Sequence, residues 1–156
     1  MTERSRAPGI VSLVLALGAV AVGGAAIFRA SALCAAAYAA VVAAAAVVVL
    51  KVYCAKCPAS ERCGHVLPGP AARLLGRRPS GPYSKAELAA TGIALAAMFG
   101  SPQIWLWRAP VLEAAFWVPL IAAIILIRRR VCPGCDNAFC PAHRGNATPL
   151  TTPPPR

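Results

Sequence analysis

The residues in this chain best suited to chemistry are six cysteines and two histidines, which fall into two short groups. The first group is Cys54, Cys57, Cys63 and His65, and the second is Cys132, Cys135, Cys140 and His143. Each group begins with two cysteines separated by two residues, and in each the first cysteine precedes the histidine by 11 residues. A C-x2-C turn can present two thiolates to one ion, and a third cysteine and a histidine then complete a tetrahedron. The spacing therefore predicts two Cys3His metal sites.

Zinc is the metal that this pattern favours, because Cys3His is an ordinary closed zinc site. An iron–sulfur cluster is the alternative, since Cys57, Cys132 and Cys140 are each followed by proline, as in bacterial ferredoxins. The C-x2-C-x2-C spacing of those proteins is missing, however, and histidine is the rarer ligand of such clusters. Three other interpretations stay open: one shared or binuclear site built from both groups, redox-active C-x2-C thiols, and cysteines without a joint role.

Long uncharged segments must position these groups. The first two, residues 10–28 and 30–50, contain no charged residue except Arg29 between them. Nineteen residues of α-helix are about 28 Å long, which is enough to cross the hydrocarbon core of a bilayer. A third segment starts near Leu88 and is expected to kink or end near Pro102, and the fourth covers residues 110–127. Tyr83, Trp105 and Trp107 are interpreted as anchors in the headgroup layer.

These segments predict an all-α membrane protein of four transmembrane helices, arranged as two hairpins with the two Cys/His loops on the cytoplasmic face. Hydrophobic residues make up 58% of the chain and charged residues only 13%, which a soluble domain of this size could not accommodate. The predicted parts are an N-terminus (1–9), a first hairpin (10–52), a Cys/His loop (53–85), a second hairpin (86–130), a second Cys/His segment (131–144) and a disordered tail (145–156). Two helices followed by a Cys/His group occur twice, which suggests an internal repeat.

The distribution of basic residues predicts the orientation of the helices. Of the 16 Lys and Arg residues, all except Arg29 and Arg108 lie on the side that carries the Cys/His groups. This asymmetry predicts that both termini are cytoplasmic, with the protein in the inner (plasma) membrane. It also accounts for the net charge of +11, so nucleic-acid binding is not expected. Because the cytoplasm is reducing, structural disulfides are not expected either.

Residues 53–58, 63–69 and 81–84, together with 99–106 and 132–141, are similar to a group of small uncharacterised prokaryotic membrane proteins with four helices and two cytosolic Cys/His clusters. This resemblance implies the same fold and no particular activity. The Cys-Pro pairs beyond helix ends also resemble, more faintly, membrane-bound ferredoxin-type proteins that exchange electrons with quinones. Those proteins have three residues between the paired cysteines, whereas this chain has two.

The leading functional hypothesis is a membrane protein whose zinc-bound cytosolic segments form a structural cap or a docking surface for a cytosolic protein partner. Electron transfer at the membrane surface by iron–sulfur or dithiol chemistry is the alternative. Metal transport or delivery ranks last, because the spans contain almost no polar ligands beyond Cys34 and Glu113. The sequence contains no nucleophile–base pair, phosphate loop or paired carboxylates, so an enzyme is not predicted. The lipid bilayer is the other expected partner, and no oligomeric state is predicted.

Overall fold

The computed structural model describes residues 6–58, 68–135, 137 and 139–141, and every regular element in these ranges is helical. The α-helices are α1 (Ala7–Ala30), α2 (Ala32–Val48), α3 (Pro68–Leu74), α4 (Lys85–Gly100), α5 (Gln103–Leu106) and α6 (Pro110–Leu126). Helices α2 and α6 both continue into further helical turns that lead directly to the cysteines.

Four helical stretches are long and apolar enough to cross a membrane: Ala7–Ala30, Ala32–Lys56, Lys85–Leu106 and Pro110–Val131. Many of their large apolar side chains point away from the protein; Leu33 is 81% exposed, Val111 80% and Ile93 70%. Such a surface is stable in lipid and unfavourable in water. By the length and composition of its helices, the chain is a multi-pass membrane protein, as predicted.

Helices α1 and α2 form a tight hairpin whose connection is the single residue Ser31. Ser31 has an extended backbone, and its side chain accepts a hydrogen bond from the backbone N–H of Cys34 at 3.3 Å. Serine is a favoured N-cap because its hydroxyl satisfies an N–H group that has no partner inside the helix. The cap marks the point at which α1 ends and α2 begins.

The third span is interrupted where the sequence predicts it. Helix α4 ends at Gly100, and Pro102 is the N-cap of the short helix α5. A proline at this point has no N–H for the helical ladder, and its ring clashes with the preceding turn. The side chain of Gln103 donates a hydrogen bond to the carbonyl of Phe99 at 3.1 Å, which satisfies one of the acceptors that the break leaves open.

The packing of the four long helices differs from two closely packed hairpins. Helix α1 packs along α6, α2 packs along α4, and α1 also packs against α2. Close backbone approach between α4 and α6 is largely absent, and their best-defined contact is between the rings of Phe99 and Phe116, 6.4 Å apart. Each helix of the first half therefore has its main partner in the second half.

The apolar core lies where α1 meets α5 and α6. Its buried members are Ala19, Ala26, Leu106, Phe116 and Leu120. Gly23 allows the helices to approach, because a Cβ atom there would lie 3.0 Å from Cβ of Pro102 and 3.2 Å from the ring of Phe116. Small residues at helix interfaces serve this purpose in membrane proteins.

Candidate functional site

The two C-x2-C motifs follow the same backbone path. After α2, residues Val49–Tyr53 are π-helical and Cys54–Lys56 form a 3-10 turn, after which Cys57 is extended (φ −73°, ψ 121°). After α6, Ile127–Val131 are π-helical and Cys132–Gly134 form a 3-10 turn, after which Cys135 is extended (φ −88°, ψ 127°). We call residues 54–57 and 132–135 the first and second cysteine turns.

One hydrogen bond closes each cysteine turn. The N–H of Cys57 donates to the carbonyl of Cys54 at 3.1 Å, and the N–H of Cys135 donates to that of Cys132 at 3.0 Å. All four cysteines are half-buried. The spans that contain α2 and α6 thus each end with two cysteines on one tight turn, as the C-x2-C spacing predicts.

The first and second cysteine groups meet through the side chain of Asn137, which is only 1% exposed. Its amide nitrogen donates to Sγ of Cys57 at 3.3 Å and to the hydroxyl of Tyr83 at 3.2 Å. The hydroxyl of Tyr53 lies 2.9 Å from Sγ of Cys140. These five residues, which we call the inter-group network, join two segments that are about 80 positions apart in the chain.

The aromatic rings of Tyr53 and Tyr83 stack against each other within this network. Their centroids are 4.6 Å apart, and their planes are 12° from parallel. The hydroxyl of Tyr83 donates to the carbonyl of Tyr53 at 3.2 Å. Burial raises the pKa of Tyr83 to about 12, and negative charge on the sulfurs of Cys57, Cys140 and Cys54 acts in the same direction, while the hydrogen bond from Asn137 opposes it. Tyr83 is therefore a neutral hydrogen-bond donor at physiological pH.

The segment before α4 is tied to the first cysteine turn. The N–H of Arg78 donates to the carbonyl of Ala55 at 3.1 Å, and Nζ of Lys56 donates to the carbonyl of Pro82 at 2.8 Å. Lys56 also pairs with Glu87 at 2.8 Å, and Arg78 pairs with the other oxygen of Glu87 at 3.0 Å. These bonds position Tyr83 beside the thiols.

Glu87 has a second task at the start of α4. Its carboxylate accepts a hydrogen bond from the N–H of Ser84 at 2.8 Å, and the Ser84 hydroxyl accepts one from the N–H of Glu87 at 3.2 Å. This capping box satisfies two N–H groups at the helix start. One carboxylate thus links the beginning of α4 to both basic residues beside the cysteines.

The predicted ligands are only partly within the described residues. Cys63, His65 and His143 lie outside them, so the two predicted Cys3His sites stay predictions. Within residues 6–58, 68–135, 137 and 139–141, no three Cys, His, Asp or Glu side chains are grouped closely enough to hold a metal ion. In this arrangement Cys140 faces Tyr53 rather than completing a three-sulfur set with Cys132 and Cys135.

Three residues of the inter-group network are absent from the predicted site: Tyr53, Tyr83 and Asn137. The sequence predicts Tyr83 to be a headgroup anchor, but in the structure its hydroxyl accepts a hydrogen bond from Asn137 and donates one to the carbonyl of Tyr53. The signal that could have identified Tyr53 and Asn137 is their position: each lies within three residues of a cysteine and carries a hydrogen-bond donor. Donors near metal-binding or reactive sulfurs commonly orient them.

No model of a protein family matches the chain, and neither the curated proteins nor the solved structures with which it was compared contain a match.

Proposed function

We propose that the cysteine end of this membrane protein binds a thiophilic metal ion, zinc in first place, and forms a cap that ties the two halves of the chain together. The observation that carries the proposal is the bridge made by Asn137, which brings the two cysteine groups to one place. A cap of this kind would serve as a structural element and as a docking surface for a cytosolic protein.

The chemistry of the surroundings supports thiolate–metal ligation. Asn137 donates to one sulfur, and the hydroxyl of Tyr53 is within hydrogen-bonding distance of another. Ligands in metal sites are usually held by such outer hydrogen bonds, which set their orientation. Cysteine thiolates supply the charge that a divalent ion needs, and the reducing cytoplasm, where we place this end on the basis of its basic residues, keeps them available.

The contact between the groups favours a shared or binuclear site over two independent sites. Asn137 joins Sγ of Cys57 to the hydroxyl of Tyr83, and Tyr53, which stacks on Tyr83, contacts Sγ of Cys140, so one sulfur from each group lies beside the same tyrosine pair. Metal loading would draw the sulfurs closer together than they lie in the described residues. Cys63, His65 and His143 are the predicted ligands that would complete the coordination.

Elemental analysis of protein purified without oxygen in detergent tests the proposal. We expect zinc in the wild type and a loss of about one equivalent in Cys57→Ser. Cys34→Ser is the matched control, because Cys34 lies at the other end of α2 and should leave the zinc content unchanged. Unchanged zinc in Cys57→Ser would contradict the proposal.

A comparison of single and double variants separates a shared site from independent ones. If both groups bind the same ion, Cys57→Ser and Cys140→Ser each release it, and the double variant loses no more than either single one. If the sites are independent, the losses add. Thermal unfolding of each variant shows whether a loss of metal reflects a loss of fold.

Electron transfer is the second candidate, and the stacked pair Tyr53–Tyr83 is the observation that favours it. The pair lies against Cys140 and extends to the first cysteine turn, so it offers a π-system beside a thiol or cluster. An iron–sulfur protein would be coloured, and its visible absorbance would bleach with dithionite. A colourless protein with zinc would exclude iron–sulfur chemistry as its resident activity.

A further inference from the structure

An open cavity lies at the end of the bundle opposite the cysteines, between the α1–α2 connection and α5. Its volume is about 450 Å³, and it is lined by Ala26, Arg29, Ala30, Ile104, Trp105 and Arg108. The lining combines the last turns of α1 with the break of the third span, so both halves of the chain contribute to it. We call it the arginine cavity.

The arginine cavity contains both basic residues of its end of the bundle. Arg29 and Arg108 are the only two basic residues that the sequence places at this end of the helices, and the fold brings both to one cavity. Within the described part of the chain no carboxylate pairs with either of them; Glu87 pairs with Lys56 and Arg78 at the cysteine end, and no ion pair joins Glu113 to an arginine. Two like charges without an acid favour the binding of an anion.

The donors that line the arginine cavity suit a phosphate group. A guanidinium can donate two parallel hydrogen bonds to phosphate oxygens, which a single ammonium cannot. Trp105 is half-buried beside them, and its indole N–H has no hydrogen-bond partner among the described residues. Tryptophan and arginine at a helix end lie at the depth of lipid headgroups.

From this lining we infer that the arginine cavity binds the phosphate of an anionic ligand through the guanidinium groups of Arg29 and Arg108. Its position at the membrane surface favours the phosphodiester of an anionic lipid headgroup, and free phosphate is the other source of the same chemistry. The inference does not depend on the proposed metal cap, because the cavity and the cysteines lie at opposite ends of the helices.

Native mass spectrometry of the intact protein in detergent, with phosphatidylglycerol or inorganic phosphate as the probe, tests this inference. We expect the wild type to retain bound phosphatidylglycerol, and Arg29→Gln/Arg108→Gln to bind it at least about tenfold more weakly, as expected for the loss of a charge-assisted pair. Arg73→Gln/Arg129→Gln is the matched control: it removes the same charge from exposed positions near the cysteine end and should change binding less than about twofold.

The outcomes separate the two sources of phosphate. Arginine-dependent retention of phosphatidylglycerol identifies a lipid site, and arginine-dependent binding of inorganic phosphate alone identifies a site for a soluble anion. Equal binding of both probes to the wild type and the Gln variant would overturn the inference. Arg29→Lys/Arg108→Lys keeps the inference testable if the Gln variant does not fold. It retains both positive charges but loses the paired donors of the guanidinium groups, so it should bind with intermediate affinity.

Discussion

The two ends of the helical bundle are stabilised by different kinds of contact. At the cysteine end, buried polar groups are joined across the chain, as in the bonds of Asn137 to Cys57 and Tyr83. At the opposite end the helices meet through apolar packing, where Gly23 lies against Pro102 and Phe116. The packing of the cysteine end therefore depends mainly on hydrogen bonds, and that of the opposite end mainly on the fit between apolar side chains.

This difference separates the parts of the molecule that a ligand can influence. A metal ion or a change in thiol charge acts on the inter-group network, because sulfur is already a partner in it. Neither should change the packing around Phe116, because the side chains of that cluster are apolar. A perturbation at one end should therefore change the stability of that end and leave the other end unchanged.

Removal of metal should have the largest effect and should be confined to the cysteine end. If zinc is bound there, its release removes several kcal/mol of stabilisation, because metal-binding free energy is coupled to folding. Hydrogen–deuterium exchange before and after chelation should show faster exchange in residues 49–57 and 127–135, with residues 103–120 unchanged. Exchange that is unchanged by the chelator in residues 49–57 and 127–135, or equally faster in residues 103–120, would contradict the expectation that the effect is confined to the cysteine end.

Gly23→Val perturbs the opposite end. Its added side chain meets Pro102 and Phe116, and overpacking of this kind costs about 1–3 kcal/mol. Gly18→Val is the control, since a Cβ there meets nothing within 4 Å and valine has the higher helix propensity. Unfolding in mixed micelles measures both variants, and equal stabilities would show that the close approach at Gly23 is not required.

Asn137→Ala should cost about 1–2 kcal/mol, because it leaves the Tyr83 hydroxyl and the Cys57 sulfur without their shared donor in a buried place. Gln103→Ala is its counterpart at the other end. It removes a hydrogen bond of 3.2 Å from Trp117 and one of 3.1 Å to the carbonyl of Phe99. Because Trp117 is 37% exposed and can find another partner, we expect a cost of about 0.5–1 kcal/mol. The same unfolding assay compares the two variants. A larger cost for Gln103→Ala would reverse the contrast between the ends.

The smallest effect at neutral pH concerns Tyr83, whose pKa of about 12 exceeds the value of about 10 for a free tyrosine. Because the folded state holds the proton more tightly, its contribution to stability is complete below pH 10 and is lost as pH rises towards 12. Absorbance at alkaline pH should show a tyrosinate step near pH 12, and Tyr83→Phe should lower its amplitude by one of the three tyrosines of the chain. An unchanged step near pH 12 in Tyr83→Phe would show that burial and sulfur charge do not act on Tyr83.

The positions of the spans could be predicted from the sequence, because each contains a long run of residues without charge. The break near Pro102 followed from a single residue with a strong backbone preference, whereas the first connection lies at Ser31 and not at Arg29, which is still in α1. The choice of helix partners could not be predicted, because helices that are apolar on every side carry no stripe that indicates the protein-facing surface. For the same reason Gly23 could not be distinguished from Gly18 until its neighbours were known.

The candidate site divides in the same way. The spacing of the cysteines predicted two C-x2-C turns, since that geometry is local. The bonds between Tyr53 and Cys140 and between Asn137 and Cys57 join positions 87 and 80 residues apart, and no local rule encodes them. They follow from the packing of α2 and α6 with the rest of the bundle, which the sequence pattern left undetermined.

A π-helical turn precedes each cysteine turn, at Val49–Tyr53 and at Ile127–Val131. A π-turn accommodates one residue more than an α-turn, and such turns are frequent at functional sites. It covers nearly the same arc as an α-turn, in which each residue rotates the chain by about 100°. The added residue is therefore absorbed within the turn, and the sulfurs beyond it keep nearly the angular position that an unbroken α-helix would give them. Deletion of one residue from Val49–Tyr53 should thus restore a regular helix while the first pair of sulfurs keeps its direction.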